Sequence, residues 1–237
     1  MSNLEPAFIL HRYPYQDHSF ILKLFSPQSG FVTAIAKGAK QPKSPWHGLL
    51  QPFAPLLVKC KGRGEVVGLQ IAEPAGKAFS YKQANLLSGF YLNELLMSFL
   101  HPHQEYPALF SAYHQALEGL GDIDFEGHIR NFELSLLLEL GLAPELSIDE
   151  DHKPILVSEN YLVRPGNLPR KGLSSQRGLV LSGKELLAIE RREWQNDDTL
   201  RAAKLLLRNW IHYYTKGKVF KSREIFREGL ANDKPFE

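Results

Sequence analysis

Apolar positions change their period along the 237-residue chain. Up to about residue 80 they come in short runs of strand length. Ala7 to Arg12 is the first. Ser19 to Phe25 is the second, partly alternating, with Asp17-His18 as a turn between them. Phe31 to Lys37 follows Ser29-Gly30. Pro55 to Cys60 and Glu65 to Ile71 bracket Lys61-Gly62-Arg63-Gly64, whose two glycines favour a tight hairpin. Five short strands in some 80 residues predict a small closed barrel, an OB-fold or an SH3-like barrel.

From about Tyr81 the period becomes helical. Ala84, Leu87, Tyr91, Leu95 and Phe99 recur every three or four residues until Pro102 stops them. Pro107 to Leu120 predicts a second helix. A third runs through Ile129, Phe132, Leu136, Leu137 and Leu140 to Gly141, with Asp124 as its cap. Residues 143–180 carry Pro144, Pro154, Pro165, Gly166 and Pro169. They predict a loop-rich insert with a small hairpin of Leu156-Val157 and Tyr161-Leu162-Val163. Ser182 and Glu185 form a capping box before a short helix to Ile189. Asp198 is the expected cap of a helix through Leu200, Ala203, Leu207, Trp210, Ile211 and Tyr214, and Ser222 that of a last one over Arg223 to Glu228.

Composition adds little until it is divided. The net charge is +2, and 43% of residues are hydrophobic, as in an ordinary folded chain and unlike a basic tail or an acidic disordered protein. Residues 1–80 carry nine basic and four acidic residues, 81–150 two and eleven, and 151–237 seventeen and eleven. Two basic segments therefore flank an acidic one. That suggests a polyanion face, or chance clustering on solvated surfaces.

Two places concentrate the basic residues. The stretch between the third and fourth strands holds Lys37, Lys40, Lys43 and Trp46. Cations beside an aromatic can bind a single strand, through phosphate contacts and base stacking. The alternative is an exposed loop with Trp46 folded onto the barrel. Near the end, Lys216, Lys218, Lys221, Arg223 and Arg227 follow Tyr213-Tyr214. Arg201, Lys204 and Arg208 share one helix face at spacing i, i+3, i+7. Phosphate binding or a solvated face would account for them.

Catalytic chemistry finds no support. Lys37-Gly38-Ala39-Lys40 lacks the Walker spacing, and no nucleophile motif surrounds a serine or histidine. Asp122, Asp124 and Glu126 suit a cap with solvated acids better than a metal site, as do Asp149-Glu150-Asp151-His152 in a loop. His101-Pro102-His103 suits a helix-ending turn. Cys60 is the sole cysteine, so disulfide and thiolate-zinc frameworks are not expected within the chain, and a small core residue is. The reading is of no catalytic residue, no metal and no cofactor. No run approaches the roughly 18 apolar residues of a membrane span, and the N-terminus lacks a signal-peptide pattern. The expectation is a cytoplasmic protein.

The residues then resemble the RecO family of bacterial recombination mediators over nearly the whole chain. The resemblance is carried by Ala7 to His11, Val32 to Lys40 and Leu49 to Leu57 running on to Gly62-Arg63-Gly64-Glu65-Val66. It continues through Tyr91 to Leu96, Arg130 to Leu134, Thr199 to Lys204 and Lys221 to Glu224. Each stretch is weak alone; their order and spacing are specific.

The resemblance implies an α+β chain: an N-terminal OB-fold at 1–80, then a mostly helical domain at 81–237 with the irregular insert at about 143–180. Many relatives carry a four-cysteine zinc module there, and this chain has none of those cysteines. A zinc-free variant is expected. The resemblance also implies a non-catalytic protein of the nucleoid. It would bind single- and double-stranded DNA without sequence preference and anneal complementary strands. It would engage the C-terminal tail of the single-stranded DNA-binding protein, and with RecR promote RecA loading.

The expected DNA contacts are Lys37, Lys40, Lys43, Trp46, Arg63, Arg201, Lys204, Arg208, Lys218, Lys221 and Arg223. Arg130 aligns with an arginine used for tail binding in the family. It is expected to take the tail carboxylate beside a pocket including Phe132 or Leu134. Its alternative is an internal ion pair to Glu126 or Glu133. A protein-bridging adaptor, whose basic surface meets an acidic partner, is the competing function. A metal-dependent nuclease using Asp122, Asp124 and Glu126 is the remoter one.

Overall fold

The computed structural model describes residues 3–172 and 178–232. Residues 173–177 of the expected insert lie outside the described residues. In chain order the elements are β1 Glu5–Tyr15, β2 Ser19–Ser26, β3 Gly30–Ala36, β4 Pro55–Lys61, β5 Val66–Pro74, α1 Gln83–Phe99, α2 Pro107–Gly119 and α3 Glu126–Glu139. Then come β6 Asn160–Val163, β7 Arg170–Lys171, β8 Leu179–Ser182, α4 Gly183–Glu190, α5 Asp197–Tyr214 and α6 Lys221–Asn232.

The five N-terminal strands close a barrel in the order β1-β2-β3-β5-β4, with β3 and β5 parallel and the other pairs antiparallel. Of the two barrels that the short runs allow, this is the OB type. Its interior is filled by Ala7, Ile9, Leu22, Leu24, Ala34, Ala36, Leu56, Val58, Cys60 and Leu69. The alternate residues of β1 and β2 are also covered. Phe8 and Phe25 turn outward onto Phe110 and Tyr113 of α2, with ring centroids 5.2–6.1 Å apart. Burial on both faces is why Ala7 to Leu10 reads as a continuous apolar run.

One polar chain ties α1 and α2 to the barrel. The β1–β2 register slips between Ile9 and His11, a bulge that leaves Leu10 without a ladder partner. Asn93 Nδ2 of α1 donates to the Leu10 carbonyl at 2.8 Å. Tyr113 of α2 in turn donates to Asn93 Oδ1. Gly30 opens β3 at φ +63°, and a Cβ there would stand 2.2 Å from the Gln104 carbonyl oxygen, so only glycine fits.

The change of period at residue 80 marks where strands give way to helices; compactness runs differently. Met1–Gly121 with Val219–Glu237 form one unit and Asp122–Lys218 the other. The first carries 14 basic and 11 acidic residues, the second 14 and 15. The acidic segment is thereby divided between two units that each also hold cations.

Several local expectations are corrected. Phe125 occupies the cap position before α3 and offers no side-chain cap, so Asp124 does not cap it. α5 is capped by Asn196, which accepts from the amides of Asp198 and Thr199; Asp198 lies in the first turn. Ser222 sits inside α6, not before it. In the insert, Leu156 and Val157 are exposed and form no strand. The central strand β6 pairs instead with β7 and β8. Packing and hydrogen bonds hold this region. Asp149 is buried and accepts from the amides of Asp151 and Lys153 at 3.0 and 2.9 Å. Leu146, Ile155, Tyr161, Leu162 and Val163 are buried around it. The Ser182–Glu185 capping box is present as expected.

Candidate nucleic-acid interface

The β3–β4 connection, residues 37–54, is a chain of tight turns. Gln41, Ser44, His47 and Leu49 each donate a backbone hydrogen bond three residues back, to Gly38, Gln41, Ser44 and Trp46. Ala39 and Leu50 bury in the barrel core and anchor it. Lys43 between those anchors and Lys37 just before the first are exposed. Lys40 is half-buried: its Nζ donates to the Gln16 carbonyl at 2.9 Å and stands 5.5 Å over the Phe20 ring. Trp46 is half-buried and packs against the barrel core, as the alternative for it had it. It is not a free stacking platform.

The register adds residues that charge runs did not suggest. His11, Lys23 and Thr33 stand opposite one another across β1, β2 and β3, and Tyr13, Ile21 and Ile35 form the next such row. Lys23 Nζ donates to Thr33 Oγ1 at 2.9 Å and lies 5.3 Å over Phe31. Tyr13 is 43% exposed, its ring 4.2 Å from that of His11. Arg12 lies over Phe20 and donates to the Leu50 carbonyl. Alternation of His11 with Tyr13 on β1, with Lys23 opposite His11 on β2, was the available signal, diluted because β1 is buried on both faces at its start. Burial lowers the pKa of His11, reinforced by the nearby Lys221 charge and opposed by Glu94.

Arg63 is exposed at the β4–β5 hairpin. Because β3 and β5 run parallel with Thr33 beside Val66, Arg63 precedes one end of the pair and Lys37 follows the other. The sequence grouped them; the topology separates them.

Lys221 and Arg223 belong to the same unit. Lys221 is exposed. Arg223 lies 4.4 Å from the Tyr91 ring centroid and donates to the Tyr91 hydroxyl, so it is engaged in packing α6 on α1.

In the second unit, Arg201, Lys204 and Arg208 are exposed on α5. Arg201 pairs with Asp198, and Lys204 with Glu126 at 2.9 Å. Arg208 has no acidic partner among the described residues, and Lys218 is exposed. Exposed pairs of this kind contribute little and exchange readily for another anion.

Arg130 is 6% exposed and forms an ion pair with Glu133, itself fully buried, one turn along α3. Its Nε is buried without a hydrogen-bond partner. Phe132 and Leu134 are core residues. Arg130, Phe132 and Leu134 are thus all buried among the described residues, and none presents its side chain at the surface. The expected alternative, pairing with Glu133, is what is found.

The acids weighed for metal chemistry are engaged elsewhere. Asp122 Oδ2 lies 3.0 Å from His128 Nε2, and Glu126 meets Lys204. Among the described residues no three His, Cys, Asp or Glu side chains converge as a metal site. Cys60 is buried, and burial pushes its thiol up to about 11. No helix among the described residues is long and apolar enough to cross a membrane.

Comparison with known proteins agrees with this architecture. Residues 1–77 match the family model for the recombination protein O N terminal domain, and 83–224 match that for its C terminal domain. The DNA repair protein RecO of Methylococcus capsulatus is 38% identical over 228 residues, covering 94% of this chain and 93% of that one. The Pasteurella multocida protein of the same name is 37% identical over 242 residues, covering 99% and 98%. That of Yersinia pestis is 38% identical over 240 residues, covering 96% and 95%.

Proposed function

The chain belongs to the RecO family of DNA repair and recombination mediators, and on that premise we propose that it binds single- and double-stranded DNA without sequence preference and anneals complementary strands. A reader of any sequence needs phosphate contacts and no base-edge code. The observation that carries this reading is the barrel surface. Lys37 and Lys43 stand exposed without an ion pair among the described residues in the connection that leaves β3, and Lys23, Phe31 and the half-exposed Tyr13 lie on β1 to β3 of the same barrel. Cations interleaved with aromatics suit a single strand. Arg208 and its neighbours on α5 supply cations in the second unit. Cations in both units support annealing, which needs two polyanions held against their mutual repulsion.

The same premise includes non-catalytic action in the nucleoid. It also includes engagement of the single-stranded DNA-binding protein's C-terminal tail and cooperation with RecR in RecA loading. The test is binding of a labelled single strand at several salt concentrations. A steep inverse dependence of affinity on salt supports the reading; affinity insensitive to salt refutes it.

A further inference from the structure

Tyr213 is the most exposed aromatic side chain among the described residues, at 63%. It stands at the C-terminal end of α5, and its neighbour holds it there. The ring of Tyr214 meets it edge to face, with centroids 5.3 Å apart and planes at 79°. Tyr214 is itself fixed. Its hydroxyl donates to the Leu142 carbonyl at 2.7 Å, and a Cβ at Gly166 would come within 3.1 Å of the same oxygen. Tyr213 is thus a buttressed ring turned largely to solvent.

The surface leading to this ring is basic. From Thr199 to Lys218 the chain contains no Asp or Glu. Helical spacing sets the exposed Asn209 one turn before Tyr213, and the exposed Arg208 and His212 on the ridge beside them. Beyond the ring, Lys216 N–H donates to the Tyr213 carbonyl at 3.1 Å and Gly217 N–H to the His212 carbonyl at 2.8 Å, which keeps the exposed Lys216 close by. The acids that meet α5 do so in its first half, Asp198 at Arg201 and Glu126 at Lys204. Arg208 and Lys216 have no acidic partner among the described residues.

Phosphate contacts alone do not tell a single strand from a duplex. Stacking does, because only an unpaired base can lay its face on a side chain. In the barrel the expected platform, Trp46, packs on the core. In the second unit Tyr213 is open to that use.

We propose that the C-terminal half of α5 binds a single strand of nucleic acid, with phosphates on Arg208 and Lys216 and one base stacked on Tyr213. Stacking occupies the face of the base and leaves its pairing edge free, as annealing requires. An acidic protein segment would meet the same cations but would leave the ring without a planar partner. The inference rests on the DNA-binding reading above and deepens it: the cations of the second unit serve an unpaired strand rather than a duplex.

The test mixes the full chain with two short, non-complementary single strands, one carrying a donor dye and the other an acceptor. Energy transfer reports two strands held together. The parent chain is expected to give transfer. Tyr213→Ala, at an exposed position that spares the fold, should raise the concentration of the second strand needed for it at least ~10-fold, the scale of one lost stack. Tyr213→Phe should stay within ~3-fold of the parent, and duplex binding should change less than ~3-fold in both variants. An acceptor strand with abasic sites throughout should behave toward the parent as the intact strand does toward Tyr213→Ala. If the parent and Tyr213→Ala titrate alike, or the abasic strand binds as well as the intact one, no base stacks on Tyr213, although DNA binding stands. If the parent binds one strand and gives no transfer, the second path does not exist. If it binds no strand, the DNA-binding reading fails and the α5 site with it.

Discussion

Glu94 of α1 closes the N-terminus of α6 at Ser222. Its carboxylate accepts the amides of Lys221 and Ser222 at 3.1 and 3.2 Å, and the Ser222 hydroxyl at 2.6 Å. An acid at a helix N-terminus satisfies otherwise orphaned donors and meets the positive end of the helix. Here it comes from 128 residues upstream. It fixes the basic residues that open α6 beside Tyr91 and Phe220.

Replacing Glu94 with alanine should release α6. The expected loss is about 1–3 kcal/mol in urea unfolding, the range of a lost cap with buried donors. Limited proteolysis should then cut near Val219. Unchanged stability and an unchanged cleavage pattern would show that the cap is not what holds α6.

The Arg130–Glu133 pair predicts an asymmetry. Glu133→Gln leaves a buried guanidinium uncompensated and should cost about 3–5 kcal/mol. Replacing both with apolar residues, Arg130→Met with Glu133→Leu, should recover most of that loss. Urea melts of the two variants decide it: equal losses would mean that the cost of Glu133→Gln does not come from leaving Arg130 uncompensated.

Lysines of the β3–β4 connection should not count equally. Lys40 already serves the Gln16 carbonyl and the Phe20 ring, whereas Lys37 and Lys43 are free to meet phosphate. Lys37→Ala with Lys43→Ala should reduce the salt slope of single-strand binding by about 1.4, roughly 0.7 per phosphate contact, and Lys40→Ala by less than about 0.7. A slope that stays put in the double variant would place the strand elsewhere.

Alkaline pH should destabilise the fold. Burial raises Cys60 to about 11 and raises Tyr81 and Tyr113, which lose solvation in the same unit. For an acid that is neutral when protonated, a raised folded value means that the unfolded chain gives up its proton first. The native state is thus favoured below the ordinary value and loses that advantage as pH rises through it, from 9.0 toward about 11 for Cys60. Tm should fall between pH 8.5 and about 10.5, and less in Cys60→Ala. At pH 8 the native thiol should resist iodoacetamide and react once urea unfolds the chain. Rapid labelling of the native protein would contradict the burial.

The barrel was legible because strand length, turn glycines and apolar runs are local signals. Ser182 capping was legible for the same reason: both partners lie within four residues. What escaped depended on distant groups. Glu94 caps α6 from far along the chain, and β7 exists only because β6 lies beside it. Lys37 and Arg63 looked alike as exposed cations, yet the parallel β3–β5 pairing sets them at opposite ends. Arg130 looked conspicuous as a cation among acids, and the helix brings one of those acids, Glu133, onto it.

Strand annealing tests the central claim most directly. Complementary oligonucleotides, bare and then coated with single-stranded DNA-binding protein, are mixed with and without the chain. The duplex is followed by quenching of a paired dye. Annealing should be faster with the chain in both cases, and slower again when Lys37, Lys43 and Arg208 are replaced together. Duplex formation no faster than the spontaneous rate, with the chain folded and in excess, would contradict it.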